Sequence, residues 1–166
     1  MKTLNEKKNR SGRFGVIIAG IAVALVIFIA FPLLMKPVAA EAKDLMVLPS
    51  DVFEEVNEVR NTFGLKDLGN SEALTYCARV RAEESSIYFE HERPDGRAWY
   101  SVNPGVQYGE NLLWTSYDRN AEQLVTLWMN SPTHRALILD GNFNTMGIGT
   151  YTDRDGIDYW VIEFGY

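Results

Sequence analysis

The sequence predicts an α+β domain built as a three-layer α/β/α sandwich, preceded by one N-terminal transmembrane helix. Residues 14–35 contain no charged side chain and are long enough to span a bilayer as a helix. Amphipathic helical patterns follow, and the chain ends in a hairpin whose strands carry apolar side chains on both faces. A sheet with two apolar faces needs cover on both sides, so the preceding helices are expected to supply it.

The N-terminal segment predicts a membrane protein. Basic residues dominate residues 1–13, which we expect to stay in the cytoplasm, while 14–35 act as a signal anchor. Residues 36–50 are then a juxtamembrane linker and 51–166 an extracytoplasmic domain, so the protein is expected in the cell membrane as a single-pass chain. Small residues around position 40 leave an alternative, secretion after cleavage near Ala40 or Ala42.

Charge divides at the predicted membrane segment. Residues 1–36 carry a net charge of +5, so the chain total of −6 leaves −11 for residues 37–166. Nucleic acids and anionic lipid surfaces are bound by basic patches. We therefore expect no nucleic-acid partner for the exported part, whose acidic surface also favours solubility.

The first helix of the exported part is predicted from Ser50 to about Phe63. Ser50 is a good helix cap, valines recur at helical spacing, and Gly64 is a typical residue to end the helix. After a turn at residues 66–69, Asn70 or Ser71 is expected to cap a second helix.

The second helix carries a stripe of mainly small residues at helical spacing. This spacing predicts that another element packs close against it. The single cysteine of the chain lies on the stripe and is expected to be a buried core residue, because a disulfide within the chain is impossible. The stripe consists of Leu74, Cys77, Ala78, Arg81, Ala82 and Ser85.

Turn signals dominate residues 87–109, where Trp99, Tyr100 and Val102 are predicted to form a short strand or to line a groove. Asn120 is expected to cap a third helix. Ser131 followed by Pro132 predicts the start of a fourth helix, because serine caps free N–H groups and proline fits the first helical position.

The C-terminal end is predicted to be a β-hairpin. Met146, Ile148 and Thr150 alternate, the Asp155–Gly156 pair supplies a turn, and residues 159–164 carry bulky side chains on both faces.

Three residues are candidates for one site: His91, Glu110 and His134. Each lies at a turn or a helix start, and each can serve as a zinc ligand or as an acid or base. The helix dipole at the start of the fourth helix disfavours a charged His134 imidazole, so we expect a neutral side chain there. Spacing alone leaves open that the histidines are exposed loop residues and the glutamate a surface residue.

Five blocks of the sequence resemble the CAP superfamily, which includes cysteine-rich secretory proteins, antigen 5 proteins and plant pathogenesis-related proteins. The likeness is greatest to its bacterial, disulfide-free, SCP-like extracellular branch, and it covers about residues 52–166. The blocks are HERPDGR at 91–97, YGENL at 108–112, WMNSPTHRALIL at 128–139, MGIGTY at 146–151 and DYWVIEFG at 158–165.

The resemblance implies an α/β/α sandwich with a central cleft, in which two histidines and two acids can hold a divalent metal, often zinc. His91, Glu110 and His134 match three members of this set, and we expect zinc or another divalent cation there. The place of the fourth, acidic member is Ser131, which cannot supply a carboxylate. Asn111 is expected to tie down the backbone around Glu110, so Asn111 and Ser131 complete the predicted ligand-binding cleft.

These features favour a membrane-anchored binding module whose cleft holds a metal, an envelope or extracellular ligand, or both. The chain contains no Gly-x-Ser-x-Gly motif, and Cys77 lies on a core face, so the sequence offers no nucleophile. The alternative is a zinc-assisted hydrolase, a peptidase, acting outside the membrane. A third possibility, lipid or sterol carriage, is known in parts of the family, but the apolar stripes are accounted for by the core.

Overall fold

The computed structural model describes residues 46–166, which form one compact unit. None of the helices in this range is both long and apolar enough to cross a membrane. The predicted cytoplasmic segment 1–13, the predicted anchor 14–35 and most of the predicted linker 36–50 lie outside the described residues.

Four helices and a four-stranded sheet make up the domain, which confirms the predicted mixed α+β class. In chain order the elements are α1 (Pro49–Thr62), β1 (Gly69–Asn70), α2 (Glu72–Ser85), a short 3₁₀ helix (Trp99–Val102), β2 (Gly109–Thr115), α3 (Ala121–Asn130), α4 (Pro132–Ile138), β3 (Thr145–Thr152) and β4 (Asp158–Gly165).

The sheet has the strand order β1-β3-β4-β2. Strands β3 and β4 form the predicted hairpin, and β2 pairs antiparallel with β4, which leaves β2 at an edge. The two-residue strand β1 pairs parallel with β3 at the other edge. Strand β1 covers the last residue of the predicted turn and the cap candidate Asn70, and Ser71 is the residue that caps α2. The 3₁₀ helix takes the place of the short strand expected around Trp99.

The cap of helix α1 lies two residues earlier than the sequence predicted. Leu48 occupies the capping position, and its N–H donates to the Asp51 carboxylate at 2.9 Å, so Ser50 lies inside the first turn. The predicted Ser50 cap was therefore wrong. The predicted end is confirmed, because Gly64 follows the last turn with a φ of +73°, a conformation that glycine adopts without strain.

Most of the apolar core lies between one face of the sheet and helices α1, α3 and α4. Trp128 of α3 is fully buried there, and its indole N–H donates to the backbone oxygen of Leu112 on β2 at 3.3 Å. The sheet side chains of this cluster come from alternate positions of β3 and β4, as the hairpin pattern predicted. They are Met146, Ile148, Trp160, Ile162 and Phe164.

Helix α2 covers the other face of the sheet at unusually short range. A Cβ added to Gly147 would lie 2.1 Å from the backbone N of Thr75, and one added to Gly149 would lie 2.3 Å from that of Arg79. The helix backbone therefore rests directly on β3. This contact confirms that the small-residue stripe of α2 packs close to a neighbouring element.

Candidate functional site

Glu110 lies at the start of β2, on the face of the sheet that α2 covers. Its cross-strand partner is Glu163 of β4, and one step further along the strands Leu112 pairs with Val161, which packs with Ala78 and Ala82 of α2. Because alternate residues of a strand share a face, both glutamates point toward the helix. Each is at most 4% exposed, so two carboxyl groups are buried side by side.

A fully buried arginine of α2 neutralises Glu110. The Arg81 Nε donates to Glu110 Oε2 at 2.7 Å, and one terminal nitrogen of the same guanidinium lies 3.3 Å from Oε1. Burial lowers the pKa of Arg81, but the hydrogen bonds and negative charges of Glu110 and Glu84 outweigh it and raise the pKa overall. Sequence analysis counted Arg81 among the small core residues of the stripe and missed this ion pair.

His91 reaches Glu110 from the loop that follows α2. Its Nδ1 lies 2.8 Å from Glu110 Oε1, while the imidazole itself is 55% exposed. Since Glu110 is a carboxylate paired with a guanidinium, Nδ1 must donate in this contact, and Nε2 is left as the nitrogen that can meet a ligand. Glu110 thus fixes both the orientation and the tautomer of His91.

A second ion pair extends this network along α2. The guanidinium of Arg93 donates to the carboxylate of Glu84 through two of its nitrogens. The same carboxylate also accepts from Arg81 at 2.9 Å. Burial raises the pKa of Glu84, but the hydrogen bonds from the two arginines outweigh it and lower the pKa overall. Arg93 is itself only 8% exposed, so its pair with Glu84 is largely buried.

No basic side chain within residues 46–166 forms an ion pair with Glu163. Its Oε1 accepts from Gln107 at 2.9 Å, and its Oε2 is buried without a hydrogen bond from any described residue. Complete burial, and then the nearby negative charge of Glu110, raise the pKa of Glu163 well above its ordinary value. The strand register places Glu163 directly beside Glu110.

Asn111 connects the strand to the helix that carries His134. It follows Glu110 in β2 and points to the opposite face, where its side-chain nitrogen donates to the backbone oxygen of His134 at 3.0 Å. Asn111 was expected to bind the backbone around Glu110, and this prediction was wrong because Asn111 binds the backbone of His134 instead. Asn111 holds the first turn of α4 against the edge strand.

His134 is half-buried in that first turn, and its pKa is lowered. Burial is the larger cause, followed by the charge of His91, so the two imidazoles lie within electrostatic range of each other. Among the described residues no hydrogen bond links the His134 ring to His91 or Glu110. The structure joins His91 to Glu110 directly, whereas His134 is linked to this edge of the sheet through its backbone contact with Asn111.

Ser131 occupies the N-cap position of α4, as its sequence context predicted, but its side chain does not cap the helix. Its hydroxyl lies 3.1 Å from that of Thr133. Ser131 therefore supplies neither the expected cap hydrogen bond nor a carboxylate to the site.

The donor set does not suit the divalent metal that the resemblance implies. Both oxygens of Glu110 are already engaged, and Ser131 stands in place of the fourth acid. Within residues 46–166 no group of three or more His, Cys, Asp or Glu side chains is arranged to hold a metal ion. Zinc sites in proteins need at least three such ligands.

Comparison with known proteins identifies the family. The family model described as CAP, the cysteine-rich secretory protein family, matches residues 53–164. The chain belongs to the CAP family. The uncharacterized protein YkwD of Bacillus subtilis is 32% identical over 120 residues, which are 68% of this chain and 45% of YkwD. The chain thus spans less than half the length of that curated relative.

Solved structures of bacterial proteins share the CAP fold. An outer surface protein from Borrelia burgdorferi has a TM-score of 0.58 at 20% identity, covering 69% of this chain and 88% of its own. An extracellular SCP-domain protein from Bacillus anthracis has a TM-score of 0.58 at 17% identity, covering 70% and 39%. At these identities the likeness establishes a shared fold.

Proposed function

We propose that this CAP domain is an extracytoplasmic binding module, in which His91 and His134 meet an envelope or extracellular ligand at the edge of the sheet. The observation that carries the proposal is the orientation of His91 by Glu110. An exposed imidazole is held by a buried carboxylate, which is itself fixed by a buried arginine. Such support holds a ring in one position, and a held ring loses less entropy on binding a ligand.

The chemistry of the site favours an uncharged or weakly charged polar ligand. Arg81 is matched by Glu110, and Arg93 by Glu84, so the network is close to neutral. The groups left for a ligand are the imidazole nitrogens, which accept or donate single hydrogen bonds. Amide and hydroxyl groups, as in peptides and glycans, are their natural partners.

A divalent metal at His91, Glu110 and His134 is the less favoured occupant, because the Glu110 carboxylate already binds Arg81 and His91. The zinc-assisted hydrolase has the same weakness, and no described observation favours it. Hydrolysis would also need a base beside the ligands, and the nearest further acid, Glu163, is buried away from solvent.

A position outside the membrane is part of this proposal. It rests on the predicted anchor at residues 14–35 and on the names of two structural relatives, an outer surface protein and an extracellular protein. If the anchor is retained, it keeps the cleft within reach of the envelope surface.

Binding of the purified full-length chain to isolated bacterial envelope fragments tests the proposal. Co-sedimentation should weaken at least about tenfold, or about 1.4 kcal/mol, in His91→Ala and in His134→Ala. His91 is exposed, so its replacement should leave the fold intact, whereas replacing buried Glu110 would not.

Glu58→Ala is the control, since Glu58 is an exposed residue of α1 that takes no part in the contacts of His91, Glu110 and His134. Equal sedimentation of the wild type and all three variants, with unchanged circular dichroism, would rule out the two histidines as the binding site.

A further inference from the structure

The side chain of Arg81 occupies the middle of the buried network. Both oxygens of Glu110 face its guanidinium, at 2.7 and 3.3 Å. Its other nitrogens donate to Glu84 at 2.9 Å and to the backbone oxygen of Glu90 at 2.8 Å. The arginine side chain is 0% exposed, so all of its contacts are with the protein.

A divalent ion and this guanidinium would compete for the same carboxylate. Zinc binds carboxylate oxygens at about 2.0–2.2 Å, and here those oxygens already have guanidinium nitrogens as neighbours. Arginine keeps its proton under all ordinary conditions. A metal at Glu110 would therefore face a fixed positive charge a few ångströms away in a buried site.

We propose that Arg81 is the resident cation of this cleft, and that its charge keeps divalent metals from Glu110. The site is then a metal-independent variant of the cleft, in which Glu110 acts on His91 as an orienting partner and not as a metal ligand. This inference concerns the state of the cleft itself and does not depend on which ligand binds there.

The charge balance of the surrounding residues supports the same conclusion. Glu84, the other carboxylate bound to Arg81, is also paired with Arg93. Divalent ions are drawn to sites with excess negative charge, and here the carboxylates of both Glu84 and Glu110 already have an arginine.

Removing the Arg81 charge should create the metal site that the wild type lacks. Arg81→Gln keeps a side-chain amide donor for Glu110 but carries no charge, whereas Arg81→Lys keeps the charge. Calorimetric titration of the full-length chains with ZnCl₂ should give no binding at the cleft for the wild type and for Arg81→Lys. Arg81→Gln should bind zinc at least tenfold more tightly than either, and the added His91→Ala substitution should abolish that binding.

Two results would overturn the inference. One is micromolar zinc binding by the wild type that His91→Ala abolishes. The other is a folded Arg81→Gln chain that binds zinc no better than the wild type. If Arg81→Gln is unfolded without metal, zinc-driven recovery of its circular dichroism is expected instead, because metal binding to a folded site stabilises the fold. Absence of that recovery at millimolar zinc would count equally against the inference.

Discussion

The two faces of the sheet are stabilised in different ways. Helices α1, α3 and α4 cover one face with large apolar side chains, and Trp128 and Phe164 are fully buried there. Helix α2 covers the other face with its backbone against glycines, and the space beyond them holds charged groups, including Arg81 and Glu110. The first face resembles an ordinary hydrophobic core, whereas the second is a buried ion network beside a small apolar cluster.

This difference assigns apolar packing and side-chain orientation to opposite faces of the sheet. Apolar burial contributes free energy without fixing any one side chain, since cores of similar volume can repack. Buried ion pairs contribute little net free energy, because desolvation offsets their attraction, but they tolerate few geometries. The rigid groups therefore lie on the face that supports His91.

The largest expected effect comes from breaking the ion pair on the α2 face. Glu110→Ala should lower the free energy of unfolding by about 3–5 kcal/mol, because it leaves the buried Arg81 charge without its main partner. Denaturant titration followed by circular dichroism measures this loss.

The control is the double variant Arg81→Met/Glu110→Leu, which replaces both charges by apolar groups. It should be more stable than Glu110→Ala, since no buried charge is left unpaired. A double variant that is less stable than Glu110→Ala would show that this face depends on the ion pair for its stability and not only for its geometry.

A smaller effect is expected from the close helix–strand contact. Gly149→Ala places a methyl group 2.3–2.4 Å from the backbone of Ala78 and Arg79, so helix α2 must move away from the sheet. We expect a loss of about 1–3 kcal/mol from overpacking, measured by denaturant unfolding.

Gly105→Ala is the matched control, because the nearest atom to its added Cβ, an oxygen of Asn103, lies at 3.6 Å. Its stability should stay within about 0.5 kcal/mol of the wild type. Equal stability of the two alanine variants would show that α2 is free to shift on β3.

The smallest effects are in the pH dependence of stability, where the two faces should differ in sign. The raised pKa of Glu163 means that the folded chain holds a proton that the unfolded chain has lost above its ordinary pKa of 4.5. This group therefore makes stability fall as pH rises from 4.5 toward its folded pKa. The lowered pKa of His134 has the opposite sign: its contribution is lost as pH falls below 6.5 toward the folded value.

Thermal unfolding between pH 4.5 and 8 separates the two contributions. Glu163→Gln should remove the fall in stability with rising pH, and His134→Gln should remove the loss on acidification below pH 6.5. Identical pH profiles for the wild type and Glu163→Gln would show that Glu163 is already ionised in the folded chain.

Periodicity predicted the apolar face of the molecule better than the charged face. The alternation from Met146 to Thr150 and the apolar residues of α3 reflect burial on one side. This regularity is visible in a short stretch of neighbouring residues. The ion network depends on contacts between distant segments. Arg81 and Glu110 are 29 residues apart, and no local pattern links them.

A signal for the network was nevertheless present in the sequence. Arg81 falls on the inward stripe of α2, and Glu163 stands between apolar residues on a strand with two apolar faces. A charge predicted at a core position requires a partner of opposite sign. Pairing the inward arginine with the inward acids would have predicted the ion pair, whereas the position of His134 depends on the Asn111 contact, which has no sequence pattern.

Because side chains alternate between the two faces along β2, the neighbouring residues Glu110 and Asn111 each contact one of the two histidines. Glu110 supports His91 on one side of the sheet, and Asn111 supports the backbone of His134 on the other. Loss or gain of one residue ahead of them in β2 would exchange their faces and disconnect both imidazoles at once. A one-residue insertion or deletion ahead of Glu110 in β2 is therefore expected to disrupt the site more than the replacement of either residue alone.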